Sequence, residues 1–311
     1  MHFDPSKDVP RLDGKVILIT GGNAGIGAAT VNELAAHNPA RIFLCTRTTS
    51  NANPVVDAAH AAHPDAKIDV LQLDLSSMES VRQCAAEFNA KSDRLDTLLL
   101  NAGIAGVAAN RSKEGYEIHL GVNHLGHALL TQLLLPKLLQ TAQDGSDVRV
   151  VVTTSLMAHK SSPGEGIVLN EAFNDNAFGS ASQRYGHSKL ANILFARKFA
   201  QLYPTLTCVS QHPGIVQTEG YSKADGVGVP QFIIRPFLWL TGVSPEKGAY
   251  NTLWCATARV EKGVLESGEY YEPVGKHVSR SPHATDQRMA DTLWDWTTKE
   301  LAKHGAPGWP S

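Results

Sequence analysis

The chain has 311 residues, with 28 basic and 30 acidic side chains and a formal net charge of −2 at pH 7. There is no basic excess to suggest nucleic-acid binding and no acidic tail. No run reaches the ~18 apolar residues that span a bilayer, and a chain of this length can bury a large core.

Residues 1–12 read as an N-terminal extension, part of the polar, two-proline stretch "MHFDPSKDVPRLDGK". That stretch has no apolar signal core and no Arg-rich amphipathic pattern, so the expectation is a cytoplasmic protein with no stable membrane anchor. Short apolar runs follow: "KVILIT" (15–20), "RIFLCT" (41–46), "KIDVLQLD" (67–74), "TLLLNAG" (97–103), "VRVVVTTS" (148–155) and "LTCVSQHPG" (206–214). They are nearly continuous rather than alternating, as buried parallel strands are when helices cover both faces. Ile118, Val122, Leu125 and Leu129 recur at helical spacing and predict a long helix over 117–140. The alternation of the two patterns predicts one α/β domain over 1–311: a doubly wound, mostly parallel sheet of about seven strands flanked by helices. Cys45, Cys84, Cys208 and Cys255 form no Cys-x-x-Cys pair and read as reduced structural thiols.

Two segments break the rhythm. Residues 159–182 are loop-like, and 219–248 form an insert with the apolar centre "QFIIRPFLWLTG" (231–242). Both follow strands at their C-terminal ends, the edge at which open α/β sheets bind ligands. The apolar centre reads as a lid over an apolar substrate, a subunit contact or a membrane-resting patch; its place in the chain favours the lid.

The glycines Gly21, Gly25 and Gly27 lie in "GGNAGIG", between the first strand and a helix. Glycines permit a tight turn whose N–H groups approach a pyrophosphate, and the helix turns its positive end to that anion. Nineteen residues after Gly27, where an NAD-using protein of this type places an acid, stands Thr46, followed by Arg47. An arginine pairs with a 2′-phosphate that a carboxylate would repel, so the cofactor expected is NADP(H). At the end of the third strand, Asp74 is placed to accept from an adenine amino group and Leu75 to offer a backbone N–H. The competing role is a helix cap, which Ser76 or Ser77 fits better. Asn101, Ala102 and Gly103 end the fourth strand in a turn against which a cofactor can lie.

The pieces "TGGNAGIG", "LDL", "NAG", "VNHLG", "VVVTTS", "YGHSK" and "HPGIVQT" stand in that order. In them the chain resembles the short-chain dehydrogenases/reductases, over about residues 13–218 and more loosely to about 300. "SKLANILFAR", "SGEYYEP" and the arginine after the second strand resemble the retinol-dehydrogenase-like branch, with its many fungal secondary-metabolism members. The resemblance implies a Rossmann-type fold and a catalytic set of Asn123, Ser155, Tyr185 and Lys189. Tyr185 would be the general acid/base and Ser155 would hold the substrate oxygen. Lys189 would lower the tyrosine's pKa and hold the nicotinamide ribose, and Asn123 would bind a relay water. The cofactor would also meet Asn23 and Ile26 in the glycine turn, and Pro213, Gly214, Val216 and Thr218 after the sixth strand. The long helices could make the dimer contact common in the family, giving a homodimer, or the 220–248 insert could equally keep the protein monomeric; the implied substrate is a small hydrophobic, bulky alcohol or ketone.

Elementary physics supports the tyrosine–lysine pair. Residues i and i+4 share a helix face, so Lys189 lies beside Tyr185. Lowering a phenol's pKa by ~3 takes about 4 kcal/mol. A solvated ion pair does not supply that, but a dry site holding two cations does. Ser155 precedes Tyr185 by thirty residues, more than the family's usual spacing, and the extra length falls in 159–182. His124 and His127 could face one metal, but no carboxylate or cysteine completes a ligand set, so they read as structural and no metal is expected. His187 reads as a spacer or as lining the entrance. Two other readings remain: a catalytically silent NADP-binding regulator or scaffold, and a C=C or imine reductase using the same site.

Overall fold

The computed structural model describes residues 3–160, 162, 164–169, 179–217, 242–278 and 281–310. Eight strands form one sheet in the order β3-β2-β1-β4-β5-β6-β7-β8. They are β1 Val16–Thr20, β2 Arg41–Thr46, β3 Ile68–Gln72, β4 Thr97–Leu100, β5 Arg149–Thr153, β6 Thr207–Gln211, β7 Tyr270–Glu272 and β8 Lys276–His277. All neighbours are parallel except β7 and β8. The sheet thus has one strand more than expected, the two-residue β8, too short to carry a periodic signal.

Helices cover both faces. In chain order they are α1 Pro5–Asp8, α2 Gly25–Ala35, α3 Asn53–Ala62, α4 Met78–Lys91, α5 Ile118–Leu120, α6 Gly126–Gln143, α7 Met157–Lys160, α8 Ala181–Leu202, α9 Pro245–Thr257, α10 Pro282–Thr285 and α11 Gln287–Lys303. The continuous apolar runs are explained by two cores. In β1, Val16 and Leu18 pack into a core with α4, α6 and α8, whereas Ile17 and Ile19 pack into another with α2, α3 and α9. Successive strand side chains point to opposite faces, and here each face meets a helical layer. All four cysteines are free and buried, and Cys45 and Cys84, distant in sequence, bring their Sγ atoms to 3.8 Å. Among the described residues no helix is long and apolar enough to cross a membrane.

The helix expected over 117–140 is present and longer, with a π-helical turn at Gly121–Leu125 between α5 and α6. Alongside it runs α8, and over α8 lies α11. Trp294 of α11 stacks on Phe195 at 5.6 Å, and Thr297 Oγ1 meets His124 Nε2 at 2.8 Å. A dimer contact through this stretch of α8 would have to displace the chain's own C-terminal helix.

The sheet order reverses between β1 and β4, and the crevice at the C-terminal ends of these strands is the binding edge of such a sheet.

Candidate active site

A cavity of about 130 Å³ opens at that edge. Its wall comes from three strand ends and two helices: Asn101, Gly103, Ile104 and Ala105 after β4; Thr153, Thr154 and Ser155 at β5; His212, Pro213, Gly214 and Val216 after β6; Ile26 in the first turn of α2; and Tyr185 and Lys189 of α8. Of the predicted site residues, Ile26, Asn101, Gly103, Ser155, Tyr185, Lys189, Pro213, Gly214 and Val216 are therefore brought together. Thr218 lies outside the described residues, as does most of the expected lid. The chain leaves the described region at Gln217 and returns at Gly242, and these ends are paired. Gln217 N donates to Val243 O at 3.0 Å, and Gln217 Nε2 donates to Gly242 O at 2.9 Å.

The glycine turn is built around Thr20, which sequence reading passed over. Thr20 Oγ1 accepts from Asn101 N at 3.0 Å and Ala102 N at 2.9 Å, while Asn101 Nδ2 donates to Thr20 O at 2.9 Å. Gly21 N donates to Cys45 O at 2.8 Å, tying the turn to β2 as well. Gly21 and Gly25 take left-handed φ values of 66° and 53°, and a Cβ on Gly27 would land on the Gly21 carbonyl. The helix that follows starts at Gly25 with no side chain capping its N–H groups, and Asn23 lies half-buried in the turn before it. Uncapped N–H groups at a helix start suit an anion.

The outlying cofactor candidates sit on the same edge. Arg47 is exposed just past β2. Asp74 Oδ1 accepts from Ser76 N at 3.0 Å and Ser76 Oγ at 2.6 Å, while Ser77 takes the N-cap of α4. Leu75 is buried, and its carbonyl lies against Gly126 at the start of α6.

Tyr185 is half-buried, and Lys189 Nζ lies 5.8 Å from its ring centroid. Lys189 is 3 % exposed and Nζ donates to Thr153 O at 3.0 Å, an oxygen that Asn192 Nδ2 also reaches at 3.1 Å. The amine beside the phenol is itself tuned by the dry site. Burial holds the Lys189 pKa down to about 7, so the dry site that strengthens its field also loosens its proton. Because the folded value lies below the unfolded one, protonated Lys189 destabilises the fold below pH ~7, and this penalty fades as pH rises toward the unfolded value. Lys189→Met, similar in size, is expected to exceed wild-type stability in urea unfolding at about pH 6 and to lose most of that gain by about pH 9. A gain that did not change with pH would show that the amine is not held in this state.

Behind the cavity, α5 and the π-helical turn are laced to α8. Glu117, before α5, lies 3.4 Å from Arg184 Nε, the His119 ring meets the Tyr185 ring edge-on at 6.2 Å, and Asn123 Nδ2 donates to Ser188 Oγ at 3.0 Å. Asn123 also pairs with Ile104, accepting its N–H at 2.9 Å and donating to its carbonyl at 3.0 Å. Asn123 does not line the cavity; it stands one layer back, where a Cβ on Gly103 would come within 3.1 Å of its Oδ1 and 3.2 Å of Lys189 Nζ.

The histidines turn to separate partners. His119 Nδ1 lies 2.7 Å from Glu117, His124 Nε2 meets Thr297, and His127 Nε2 meets Thr20 Oγ1 at 2.9 Å. The possibility that His124 and His127 face one metal thus gives way to two unrelated hydrogen bonds. His187 is neither spacer nor entrance. It is fully buried, and its Nε2 accepts from Val168 N at 3.0 Å, fastening the strand-to-helix segment behind Tyr185. Sequence reading also missed Thr153, whose carbonyl holds Lys189, and His212, in the cavity wall. Both stand inside the motifs "VVVTTS" and "HPGIVQT", in which no role was given to these positions.

Comparison with known proteins follows the same lines. Residues 15–167 match the family model described as short chain dehydrogenase. A short chain dehydrogenase/reductase of Colletotrichum higginsianum, dpchH, is 36% identical across 97% of this chain and 78% of its own length. Human retinol dehydrogenase 11 is 34% identical across 92% of this chain and 85% of its own. Among solved structures, the Pseudomonas aeruginosa RhlG/NADP active-site complex superposes with a TM-score of 0.63 at 25% identity, covering 85% of this chain and 96% of that one.

Proposed function

The chain belongs to the short-chain dehydrogenase/reductase family, in its retinol-dehydrogenase-like branch, and from that premise we propose that it is an NADP(H)-dependent oxidoreductase interconverting a hydroxyl and a carbonyl on a hydrophobic substrate. One observation carries the reading: Ser155, thirty residues before Tyr185, lines one cavity with Tyr185, Lys189 and the backbone ends of β4 and β6.

The residues suit a nicotinamide dinucleotide. The turn of Gly21, Asn23, Gly25, Ile26 and Gly27, with the uncapped start of α2, would hold the pyrophosphate. Asn101, Ala102 and Gly103 would hold the ribose side, and Pro213, Gly214, Val216 and Thr218 the nicotinamide side. Asp74 and Leu75 would meet the adenine. When bound, the cofactor supplies or takes up the hydride.

The proton is handled by the protein. In reduction the Tyr185 hydroxyl gives its proton to the substrate oxygen, and in oxidation it takes that proton back. Ser155 Oγ donates a hydrogen bond to the same oxygen. Lys189, with its pKa near neutrality, stabilises charge on the Tyr185 oxygen and exchanges a proton within the working range. Asn123 holds the backbone at Ile104 and the start of the Lys189 turn in register. Ile26, Ile104, Ala105 and Val216 give the cavity an apolar wall, which supports a hydrophobic substrate. Gln217, which follows the cavity residue Val216, donates to Gly242, and this supports reading the insert between them as a substrate lid.

The test of the whole reading is a panel of apolar ketones, aldehydes and alcohols followed by NADPH absorbance. Absence of turnover in both directions across the panel, with no cofactor binding, would sink it. Cofactor choice has its own test. Arg47→Asp exchanges a charge-assisted partner, of roughly 1.5–3 kcal/mol, for a repelling one. The NADPH-to-NADH ratio of kcat/KM is expected to fall by on the order of 10- to 100-fold. An unchanged ratio would remove Arg47 from the 2′-phosphate.

A further inference from the structure

We propose that His127 is a positioning residue of this site: a neutral imidazole, protonated on Nδ1, that couples the glycine turn to the turn carrying Asn123. The catalytic consequence rests on the oxidoreductase reading above; the geometry does not.

The three residues joined are all buried, with Thr20 and Asn123 fully enclosed and His127 2 % exposed. His127 Nε2 lies 2.9 Å from Thr20 Oγ1, and Nδ1 lies 3.1 Å from the Asn123 carbonyl oxygen. The protonation follows by counting. A hydroxyl has two acceptor positions and one proton. Both acceptor positions of Thr20 Oγ1 are engaged, by Asn101 N at 3.0 Å, shared with Leu99 O, and by Ala102 N at 2.9 Å. The hydroxyl's single proton is then shared between His127 Nε2, at 2.9 Å, and Leu99 O, farther away at 3.4 Å. The Asn123 carbonyl oxygen can only accept, so Nδ1 carries the hydrogen, and in the neutral ring Nε2 is the bare nitrogen that takes the Thr20 proton.

Each end of this bridge meets a working part of the site. At one end, Thr20 gathers the N–H groups of 101 and 102 under the glycine turn. At the other, Asn123 sits in the π-helical turn at Gly121–Leu125, with its side chain on Ile104 and on Ser188, next to Lys189. A π-turn displaces the helical pairing of carbonyls, and the imidazole N–H fastens one of them. Histidine alone among neutral side chains accepts at one ring atom and donates at another across this gap. Its neutrality is kept by burial, with Lys189 and His124 acting in the same direction, and its pKa is held down to about 3.

Two variants separate the two ends. His127→Gln places an amide oxygen near the Nε2 position and keeps the Thr20 bond. His127→Asn places an amide N–H near the Nδ1 position and keeps the Asn123 bond. His127→Asn is expected to weaken NADPH binding, read by fluorescence titration, ~10-fold, with kcat at saturating cofactor nearly unchanged. His127→Gln is expected to keep NADPH affinity and to lose ~10-fold in kcat. A parallel loss of both quantities in both variants, or no change in either, overturns the proposal. Nitrogen NMR of histidine-labelled wild-type protein gives a readout without turnover. Protonated Nδ1 and bare Nε2, constant from about pH 5 to about pH 9, are expected, and protonated Nε2 overturns the assignment. If the wild type turns over no substrate, the oxidoreductase reading fails, while NADPH titration and NMR still decide the coupling.

Discussion

Tyr185→Phe is expected to remove turnover and to leave NADPH bound. The ring stays, and with it the edge-on contact with His119 and the approach of Lys189 Nζ to the ring face. Only the oxygen proposed to move the proton is lost, and a positioned acid/base contributes a factor on the order of 10²–10⁴. We expect kcat to fall by about a thousandfold and the NADPH dissociation constant to change less than about twofold. Turnover within tenfold of wild type would refute Tyr185 as the acid/base. The result also separates an enzyme from a silent dinucleotide-binding scaffold, for which the hydroxyl carries no rate.

Gly27→Ala is expected to be as damaging from the cofactor side. A methyl group at this position meets the Gly21 carbonyl oxygen inside contact distance and stands 2.7 Å from Asn101 Nδ2. Neither neighbour is a flexible side-chain end: the first is backbone of the turn, and the second is held by Thr20 O. The turn must open, and overpacking of this kind costs about 1–3 kcal/mol. Because the same turn is proposed to hold the pyrophosphate, NADPH affinity should fall by on the order of 100-fold, alongside lower stability in urea. Affinity close to wild type would show that the cofactor does not use this turn.

The fold is largely legible in the sequence. The strand runs "KVILIT", "RIFLCT" and "VRVVVTTS" carry the signature of strands covered on both faces, and the two cores on either side of β1 are the cause of it. β8 was illegible because two residues make no period. Of the candidate site, Tyr185 and Lys189 could be paired by helix geometry alone, and the glycines by their spacing. The burial of Lys189 depends on how α8 packs on β5, which no window of sequence contains. His187 shows the same limit, since its partner Val168 lies in a segment that reads only as loop.

What the sequence by itself determined is therefore local and periodic: the doubly wound sheet, the glycine turn with its following helix, and the tyrosine–lysine face of one helix. Pattern at spacings of two, three and four residues encodes these, because backbone geometry repeats at those periods. What only the tertiary structure decided is which polar atoms share a hydrogen. Thr20 meets Asn101 and His127, and Asn123 meets Ser188. Glu117 lies beside Arg184. Those pairings join residues tens of positions apart, and distance, burial and donor count settle them only once sheet register and helix packing have placed both partners.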